Sequence, residues 1–106
     1  MSEEKQYNPL CGKIELAYQI TGKKWVNFII HTLMEEPKRF SEIQAYIPDL
    51  SKRMLNERIK ELEDSGIVIR NVITDRPIRI EYSLTRKGTE LGRALRAVEE
   101  WAEKWY

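Results

Sequence analysis

The amino-acid sequence predicts an α+β fold of four helices, a β-hairpin and a final helix. Apolar residues recur at helical spacing from residue 10 to about residue 65, which is typical of amphipathic helices. The period then changes to an alternation rich in β-branched residues, as in strands, and helical spacing returns after Thr85. A chain of 106 residues is long enough for one hydrophobic core, so we expect a single domain spanning residues 1–106.

The first two helices are predicted by apolar spacing and by the residues that follow them. Over residues 10–21, the apolar positions at helical spacing are Leu10, Ile14, Ala17 and Ile20. Over about 24–35, one helix face would carry Trp25, Phe28, Ile29 and Leu33. Gly22 is a stop for the first helix. The second helix has to end before Pro37, because the residue preceding a proline disfavours helical geometry.

Two further helices are separated by the short turn "IPDL". Ser41 is a candidate N-cap for a short helix over about 41–46. Ser51 would cap a longer helix over about 51–65, and Gly66 would end it. The buried stripe of this longer helix is predicted to consist of Leu55, Ile59 and Leu62, with Met54 at its margin.

A β-hairpin is predicted over about residues 68–84, directly after the fourth helix. Its first strand, "IVIRNVIT", is rich in β-branched residues, and its second, "RIEYSL", alternates apolar with polar residues. The segment "DRPI" forms the turn between them. Helices three and four would form a helix-turn-helix, and a hairpin in this position is the wing of a winged helix. The sequence therefore predicts a winged helix-turn-helix that continues into a terminal helix over residues 86–106.

The charges are segregated along the chain, although the net charge is only +1. Residues 37–60 sum to +3, residues 61–69 to −3 and residues 70–88 to +3. The predicted fourth helix is accordingly basic at its start and acidic at its end, which is the less favourable arrangement for the helix dipole. Such clustering occurs on ordinary solvated surfaces, but it also produces a basic face suited to a polyanion.

The start of this fourth helix is the part that a helix-turn-helix protein inserts into the major groove of DNA. Basic and amide side chains belong there, since Arg and Lys suit guanine edges and phosphates while Asn suits adenine. The acidic end would point away from the duplex, and basic residues before helix three and on the wing would contact phosphates. The predicted DNA-binding residues are Lys38, Arg39, Ser41, Ser51, Lys52, Arg53, Asn56, Lys60, Arg76 and Arg79.

Five successive motifs resemble those of one protein family: "GKKW", "PKRFSEI", "IPDLSKRML", "RIKELEDSGIV" and "PIRIEYSLTRKG". From about Cys11 to Leu95, the chain is similar to the HxlR-type transcriptional regulators, a winged-helix group related to the MarR regulators. The resemblance implies a homodimeric regulator that binds double-stranded DNA. Carried over to the matching positions, it implies a DNA-reading face formed by Ser51, Lys52, Arg53 and Asn56, with Arg76 and Arg79 on the wing.

The terminal helix carries more apolar surface than so small a domain is expected to cover by itself. Packing on its own domain is one interpretation of this pattern, but exposed aromatic stripes usually mark an interface. A symmetric dimer is the better interpretation, and we expect the N-terminal helix to contribute to it. The predicted interface residues of the terminal helix are Leu91, Leu95, Val98, Trp101 and Trp105.

Cys11 is the only cysteine, which excludes an internal disulfide and a cysteine-built zinc site. Members of the family often have Cys-Pro near the N-terminus, and some of them sense oxidants or electrophiles through that cysteine. Here the motif reads Leu10-Cys11-Gly12, without the proline. Cys11 is therefore a candidate redox site, and the alternative is a small residue packed at the dimer interface.

The residue types and spacings of an enzyme are not found in this sequence. His31 is the only histidine, so neither a metal cluster nor a nucleophile–base pair can be assembled around it. There is no Gly-rich phosphate loop, and we expect no cofactor and no resident metal. The segment "MSEEKQYNPL" lacks an apolar signal region, and no apolar run is long enough for a membrane span, so we expect a cytoplasmic protein.

These observations predict a sequence-specific transcriptional regulator that binds duplex DNA as a homodimer. Two alternatives remain open from the sequence. One is a redox sensor in which Cys11 governs DNA release. The other is a winged helix that serves only for protein–protein interaction and binds an acidic partner through its basic face. No motif in the sequence designates a small-molecule effector.

Overall fold

A computed structural model of the protein describes residues 11–106 and confirms the predicted order of helices and strands. The elements are α1 (Gly12–Thr21), α2 (Val26–Leu33), α3 (Phe40–Tyr46), α4 (Lys52–Asp64), β1 (Val68–Ile73), β2 (Arg79–Leu84) and α5 (Arg86–Trp105). Leu10, which apolar spacing assigns to the first helix, lies outside the described residues. No helix within residues 11–106 combines the length and the apolar character that a membrane span requires.

The hydrophobic core lies where α2, α3 and α4 meet the base of the hairpin. Its fully buried side chains are those of Val26, Ile29, Ile30, Ile43, Leu50, Leu55 and Leu62. The stripe predicted on α4 is confirmed, because Leu55, Ile59 and Leu62 are at most 2 % exposed. The face predicted on α2 is wrong at Phe28, which is 61 % exposed. Phe28 is displaced from the core because α2 turns Val26 and Ile30 inward instead.

Polar groups at the helix starts determine where α3 and α4 begin. Ser51 caps α4 as predicted, and its hydroxyl accepts a hydrogen bond from the Met54 N–H at 3.1 Å. The N-cap position predicted for Ser41 is wrong, since α3 already includes Ser41 and has Arg39 as its N-cap residue. The Arg39 N–H donates to the Glu42 carboxylate at 2.8 Å. The Glu42 carboxylate therefore accepts a backbone N–H at the start of α3, whereas the sequence predicted that a serine hydroxyl would do so.

The wing is an antiparallel hairpin that follows α4 almost at once. Gly66 ends the helix, as predicted, with a φ of 74°, a left-handed conformation that favours glycine. β1 then pairs with β2 so that Val68 lies opposite Leu84. Lys38 extends the sheet by one residue, because its backbone N–H and C=O bond to Tyr82 at 2.9 and 2.8 Å. The chain that enters α3 is thereby attached to the wing.

The first half of α5 packs closely against the domain through two buried glycines, Gly88 and Gly92. A Cβ atom at Gly88 would overlap the backbone carbonyl oxygen of Ile67, and one at Gly92 would overlap the methionine side chain that follows α2. Further along, His31 Nδ1 of α2 and Glu99 Oε2 of α5 are 3.0 Å apart. Together these contacts hold α5 across the domain while its later apolar residues face away.

The turn between α1 and α2 holds Trp25 in a left-handed backbone conformation, with φ 79° and ψ −17°. This conformation costs a residue with a side chain on the order of 1–3 kcal/mol. Contacts of the indole ring offset the cost, because the ring packs against the core and lies 5.9 Å from the ring of Phe28. The Lys24 ammonium lies 5.1 Å from the same indole centroid. The turn therefore has a defined shape that depends on its tryptophan.

Candidate nucleic-acid interface

The beginning of α4 presents a row of polar side chains to solvent. As the sequence predicts, the residues Ser51, Lys52, Arg53, Asn56 and Lys60 are exposed, while the apolar stripe on the other side of the helix is buried. The burial of that stripe turns the opposite side of α4 outward. The polar row is consequently held outward by the core and does not depend on contacts of its own.

The side chains of this row have few partners within the protein. The Arg53 side chain is 89 % exposed, and its Nε lies 3.8 Å from Glu57 Oε2, a long and solvated ion pair. Within residues 11–106, the side chains of Lys52, Asn56 and Lys60 take part in no hydrogen bond or ion pair. Guanidinium, ammonium and amide groups thus keep their donors available for base edges and phosphates.

The acidic end of α4 lies well away from the start of the helix, where Lys52 and Arg53 lie. At about 1.5 Å per residue, Asp64 is roughly 18 Å along the axis from Lys52. Glu61, the first of the acidic residues, accepts from Arg58 at 3.2 Å and pairs with Lys23 of the α1–α2 turn at 3.2 Å. The charge asymmetry of the helix therefore separates an exposed basic end from an acidic end that is partly neutralised by the protein itself.

The basic side chains of the wing differ in their exposure and in the number of ion pairs that they form. Arg76 is exposed at the tip of the hairpin, as predicted. Arg79 is only 34 % exposed, since its Nε lies 3.0 Å from Glu81 and its Nη1 lies 3.8 Å from Asp75. Arg70, exposed on β1, was missed by the sequence prediction. Arg70 could have been predicted as exposed, because it is a charged residue within a β-branched strand. Within the described residues it forms no ion pair.

Lys38 differs most from its predicted role. The residue is 4 % exposed, and its ammonium lies 3.3 Å from Glu36 and 5.1 Å from the ring centroid of Tyr46. A phosphate contact needs an accessible ammonium group, so this burial corrects the prediction and removes Lys38 from the candidate contacts. Its neighbours Arg39 and Ser41 are exposed at the start of α3 and stay in the candidate set.

A second set of exposed side chains is apolar and lies on α5 and α1. Val98, Trp101 and Trp105 of α5 are 58, 54 and 64 % exposed, whereas Leu91 and Leu95 pack partly against their own core. On α1, the exposed apolar side chains are those of Leu16, at 66 %, and Tyr18, at 69 %. Exposed apolar residues on two helices are typical of an interaction surface. Leu16 and Tyr18 are two residues apart, about 160° around the helix axis, so they lie on different faces of α1. We call the three exposed residues of α5, Val98, Trp101 and Trp105, the apolar surface.

Cys11 lies at the edge of α1 and is partly exposed. It is the N-cap residue of that helix, and its carbonyl oxygen accepts a hydrogen bond from the Glu15 N–H at 3.0 Å. Its thiol makes no capping hydrogen bond. Among the described residues, no group of three or more His, Cys, Asp or Glu side chains is arranged to hold a metal ion.

A helix-turn-helix with an exposed basic start of its second helix, followed directly by a wing, defines a winged-helix DNA-binding protein. A family model described as HxlR-like helix-turn-helix matches residues 20–106. The chain belongs to this family, and the predicted winged helix and its assignment to transcriptional regulation are confirmed.

Relatives and solved structures agree with this assignment. The HTH-type transcriptional regulator YodB of Bacillus subtilis is 45 % identical, over 92 % of this chain and 88 % of its own length. The structure of its reduced form matches with a TM-score of 0.82 over 90 % of this chain and 93 % of that chain. The redox regulator HypR in its oxidised form is 34 % identical, with a TM-score of 0.81 over 87 % of this chain and 95 % of that chain.

The likeness extends to the MarR regulators, as the sequence resemblance implies. A protein of Enterococcus faecalis V583 described as a regulator of the MarR family is 28 % identical and matches with a TM-score of 0.81. The match covers 97 % of this chain and 94 % of that chain. YodB and the Enterococcus faecalis protein are both described as transcriptional regulators.

Proposed function

We propose that the protein binds its operator as a homodimer in the cytoplasm, with each α4 in a major groove and each wing against the adjoining backbone or minor groove. The exposed, largely unpaired polar row at the start of α4 is the observation that carries this proposal. Positioned donors that the protein does not use itself are what base readout requires.

The exposed residues take different roles in this arrangement. Arg53 and Asn56 read base edges, because they lie in the first two turns of α4, the part that enters the groove. The remaining exposed candidates hold phosphates, namely Arg39, Ser41, Ser51, Lys52, Lys60, Arg70 and Arg76. Arg79 has a supporting role, since its two carboxylate partners leave less of its charge to DNA. Phosphate contacts set the register, and base contacts set the sequence preference.

The apolar surface forms the dimer interface in this proposal. Two exposed tryptophans and Val98 of α5 would leave water when two copies meet, and exposed apolar residues of α1 can add to the buried area. A two-fold arrangement uses the same patch on both subunits and directs two recognition helices to two half-sites. Leu91 and Leu95 contribute at the edge, because each already packs partly against its own core.

Selection of bound fragments from genomic DNA, followed by footprinting, tests this function. We expect a small set of fragments that share an inverted repeat, protected in two half-sites about one helical turn apart. A duplex with the half-sites scrambled should bind at least about 10³-fold more weakly at physiological salt. Equal affinity for all duplexes would contradict sequence-specific binding and favour the protein-interaction alternative.

A redox-responsive regulator is the second candidate, and the position of Cys11 favours it. This partly exposed thiol lies at the start of α1, the helix that contributes to the proposed interface. The similar structures include YodB in its reduced form and the redox regulator HypR in its oxidised form. In this chain, oxidation would join the Cys11 residues of two chains in a disulfide. Two thiols would lose two electrons and two protons to an oxidant such as diamide, which becomes the hydrazine.

Diamide titration of operator binding tests this candidate. Native protein should change its operator affinity and form a covalent dimer on a non-reducing gel, and dithiothreitol should reverse both effects. Cys11→Ser should show neither effect while it binds the operator normally. An equal response of the native and Cys11→Ser proteins would remove the cysteine from the mechanism.

A further inference from the structure

Arg58 belongs to the recognition helix but does not belong to its exposed polar row. It lies two residues after Asn56, which places it about 160° away around the helix axis at about 100° per residue. Its side chain is only 16 % exposed. A guanidinium group that is largely buried on the side of α4 opposite the proposed DNA contacts has a different task from Arg53.

The guanidinium of Arg58 attaches α4 to the turn between α1 and α2. Its Nε donates to the backbone carbonyl oxygen of Lys24 at 2.9 Å, and its Nη1 donates to Glu61 at 3.2 Å. The same carboxylate lies 3.2 Å from Lys23 Nζ. Two adjacent residues of the turn therefore hold two residues of α4 that are one helical turn apart. We call this four-residue contact, formed by Lys23, Lys24, Arg58 and Glu61, the turn–α4 clamp.

The turn is itself attached to both of the helices that it joins. The Gly22 N–H donates to the Tyr18 carbonyl at the end of α1 at 2.8 Å. The Asn27 amide of α2 donates to the Thr21 carbonyl at 3.0 Å. The left-handed conformation of Trp25 restricts the backbone between these two bonds. The Lys24 carbonyl that Arg58 contacts therefore lies in a segment that is hydrogen-bonded to both α1 and α2.

We propose that Arg58 is a positioning residue that couples the placement of α1 to the rotation of the recognition helix. The inference rests on the proposed function, since it concerns the reach of Arg53 and Asn56 into the groove. A helix with its side chains has a radius of about 5–6 Å, so a rotation of about 20° moves the side-chain ends by about 2 Å. A shift of that size breaks a hydrogen bond to a base edge and leaves long-range attraction to phosphates nearly unchanged.

Arg58→Lys is the variant that tests the coupling. Lysine keeps the charge but has a single donor centre, so it cannot bond the Lys24 carbonyl and Glu61 with the fixed fork of a guanidinium. We expect affinity for a genomic fragment recovered by the selection to fall about ten-fold. Affinity for a scrambled duplex of equal length and the salt slope should stay unchanged, because Arg58 touches no phosphate. The matched control is Arg86→Lys, an exposed arginine in an ion pair with Glu90 on α5, which should change neither affinity.

A second variant tests the coupling independently of whether Arg58→Lys folds as stably as the native protein. Glu61→Gln leaves Arg58 in place but weakens its ion pair and that of Lys23, so it should lower the preference for the recovered fragment in the same direction. Lys23→Gln should weaken binding of that fragment in the native background by more than it does in the Arg58→Lys background. Non-additivity of this kind reports that the two residues act through one contact.

Several outcomes would overturn the coupling. One is a lower melting temperature of Arg58→Lys or Glu61→Gln with unchanged preference between the two duplexes, which is what a purely structural role predicts. Another is an equal loss on both duplexes with a smaller salt slope, which would make Arg58 a phosphate contact. Additive effects of Lys23→Gln and Arg58→Lys would also contradict it. Arg53→Ala separates the two proposals: if it weakens fragment binding while the clamp variants do not, only the coupling is wrong.

Discussion

Replacing Arg53 by alanine tests the proposed DNA-reading surface most directly. The side chain is 89 % exposed, and its ion pair with Glu57 is 3.8 Å long. A surface pair of this spacing contributes at most about 0.3–0.5 kcal/mol to folding, so the variant should remain folded. The loss should appear in operator binding instead. Removal of a base-reading arginine costs about 1–3 kcal/mol, which corresponds to a roughly five- to 150-fold increase in Kd.

Arg76→Ala is the matched comparison, because this arginine lies at the exposed tip of the wing and not on the recognition helix. It should weaken binding by a similar factor on the operator and on scrambled DNA. The slope of log K against log salt should become less steep by about 0.9 for each phosphate that the protein no longer neutralises. For Arg53→Ala we expect preference to relax at particular base pairs. A suitable control is Arg86→Ala, whose side chain is 94 % exposed on α5.

Fluorescence anisotropy with labelled operator and scrambled duplexes, each measured across a salt series, separates the two effects. Circular dichroism of each variant establishes that the fold is intact. If neither Arg53→Ala nor Arg76→Ala changes binding in folded protein, the assignment of the DNA-binding face is wrong. If Arg53→Ala weakens both duplexes equally, the residue is a phosphate contact and base readout lies elsewhere.

Four further variants test the interface and the fold. Ending the chain after Val98 removes both tryptophans of α5 and should give monomers or aggregates with weaker operator binding, whereas native protein that is monomeric at about 20 µM by sedimentation would contradict the dimer. Ser51→Ala deletes the hydroxyl cap of α4 and should lower the free energy of unfolding by about 0.5–2 kcal/mol in urea denaturation. Gly88→Ala forces a methyl group against the backbone carbonyl of Ile67 and should lower the free energy of unfolding by about 3 kcal/mol or more. Gly92→Ala places its methyl group against a flexible methionine side chain and should lower the free energy of unfolding by about 1 kcal/mol. Equal destabilisation at the two glycines would show that α5 can shift along the domain.

The sequence alone was sufficient for the order of elements and for the outward face of α4. Both depend on local physics, because the spacing of Leu55, Ile59 and Leu62 defines the buried side of a helix wherever that helix packs. The serine cap of α4 and the glycine stop at Gly66 are local in the same way, since each acts on backbone groups within a few residues. The winged helix and the exposed polar row were therefore predictable.

The exposure of some side chains was predicted wrongly because it depends on contacts with distant parts of the chain. Lys38 has the sequence context of a surface cation next to Arg39, yet its backbone pairs with Tyr82 and its ammonium is buried beside Tyr46. Phe28 has the spacing of a core residue, but neighbouring positions on α2 fill the core in its place. Neither outcome follows from residue type, because burial depends on which elements meet.

The arginines also differ in whether their surroundings could be predicted from the sequence. The sequence identified Arg53 as exposed from its position opposite the apolar stripe, and its side chain is indeed exposed. It could not distinguish Arg58, whose guanidinium bonds to a carbonyl 34 residues earlier in the chain. It also did not predict that Arg79 is paired with Asp75 and Glu81. Helix periodicity determines which way a side chain points, but only the tertiary structure decides what it meets there, because that partner comes from a distant part of the chain.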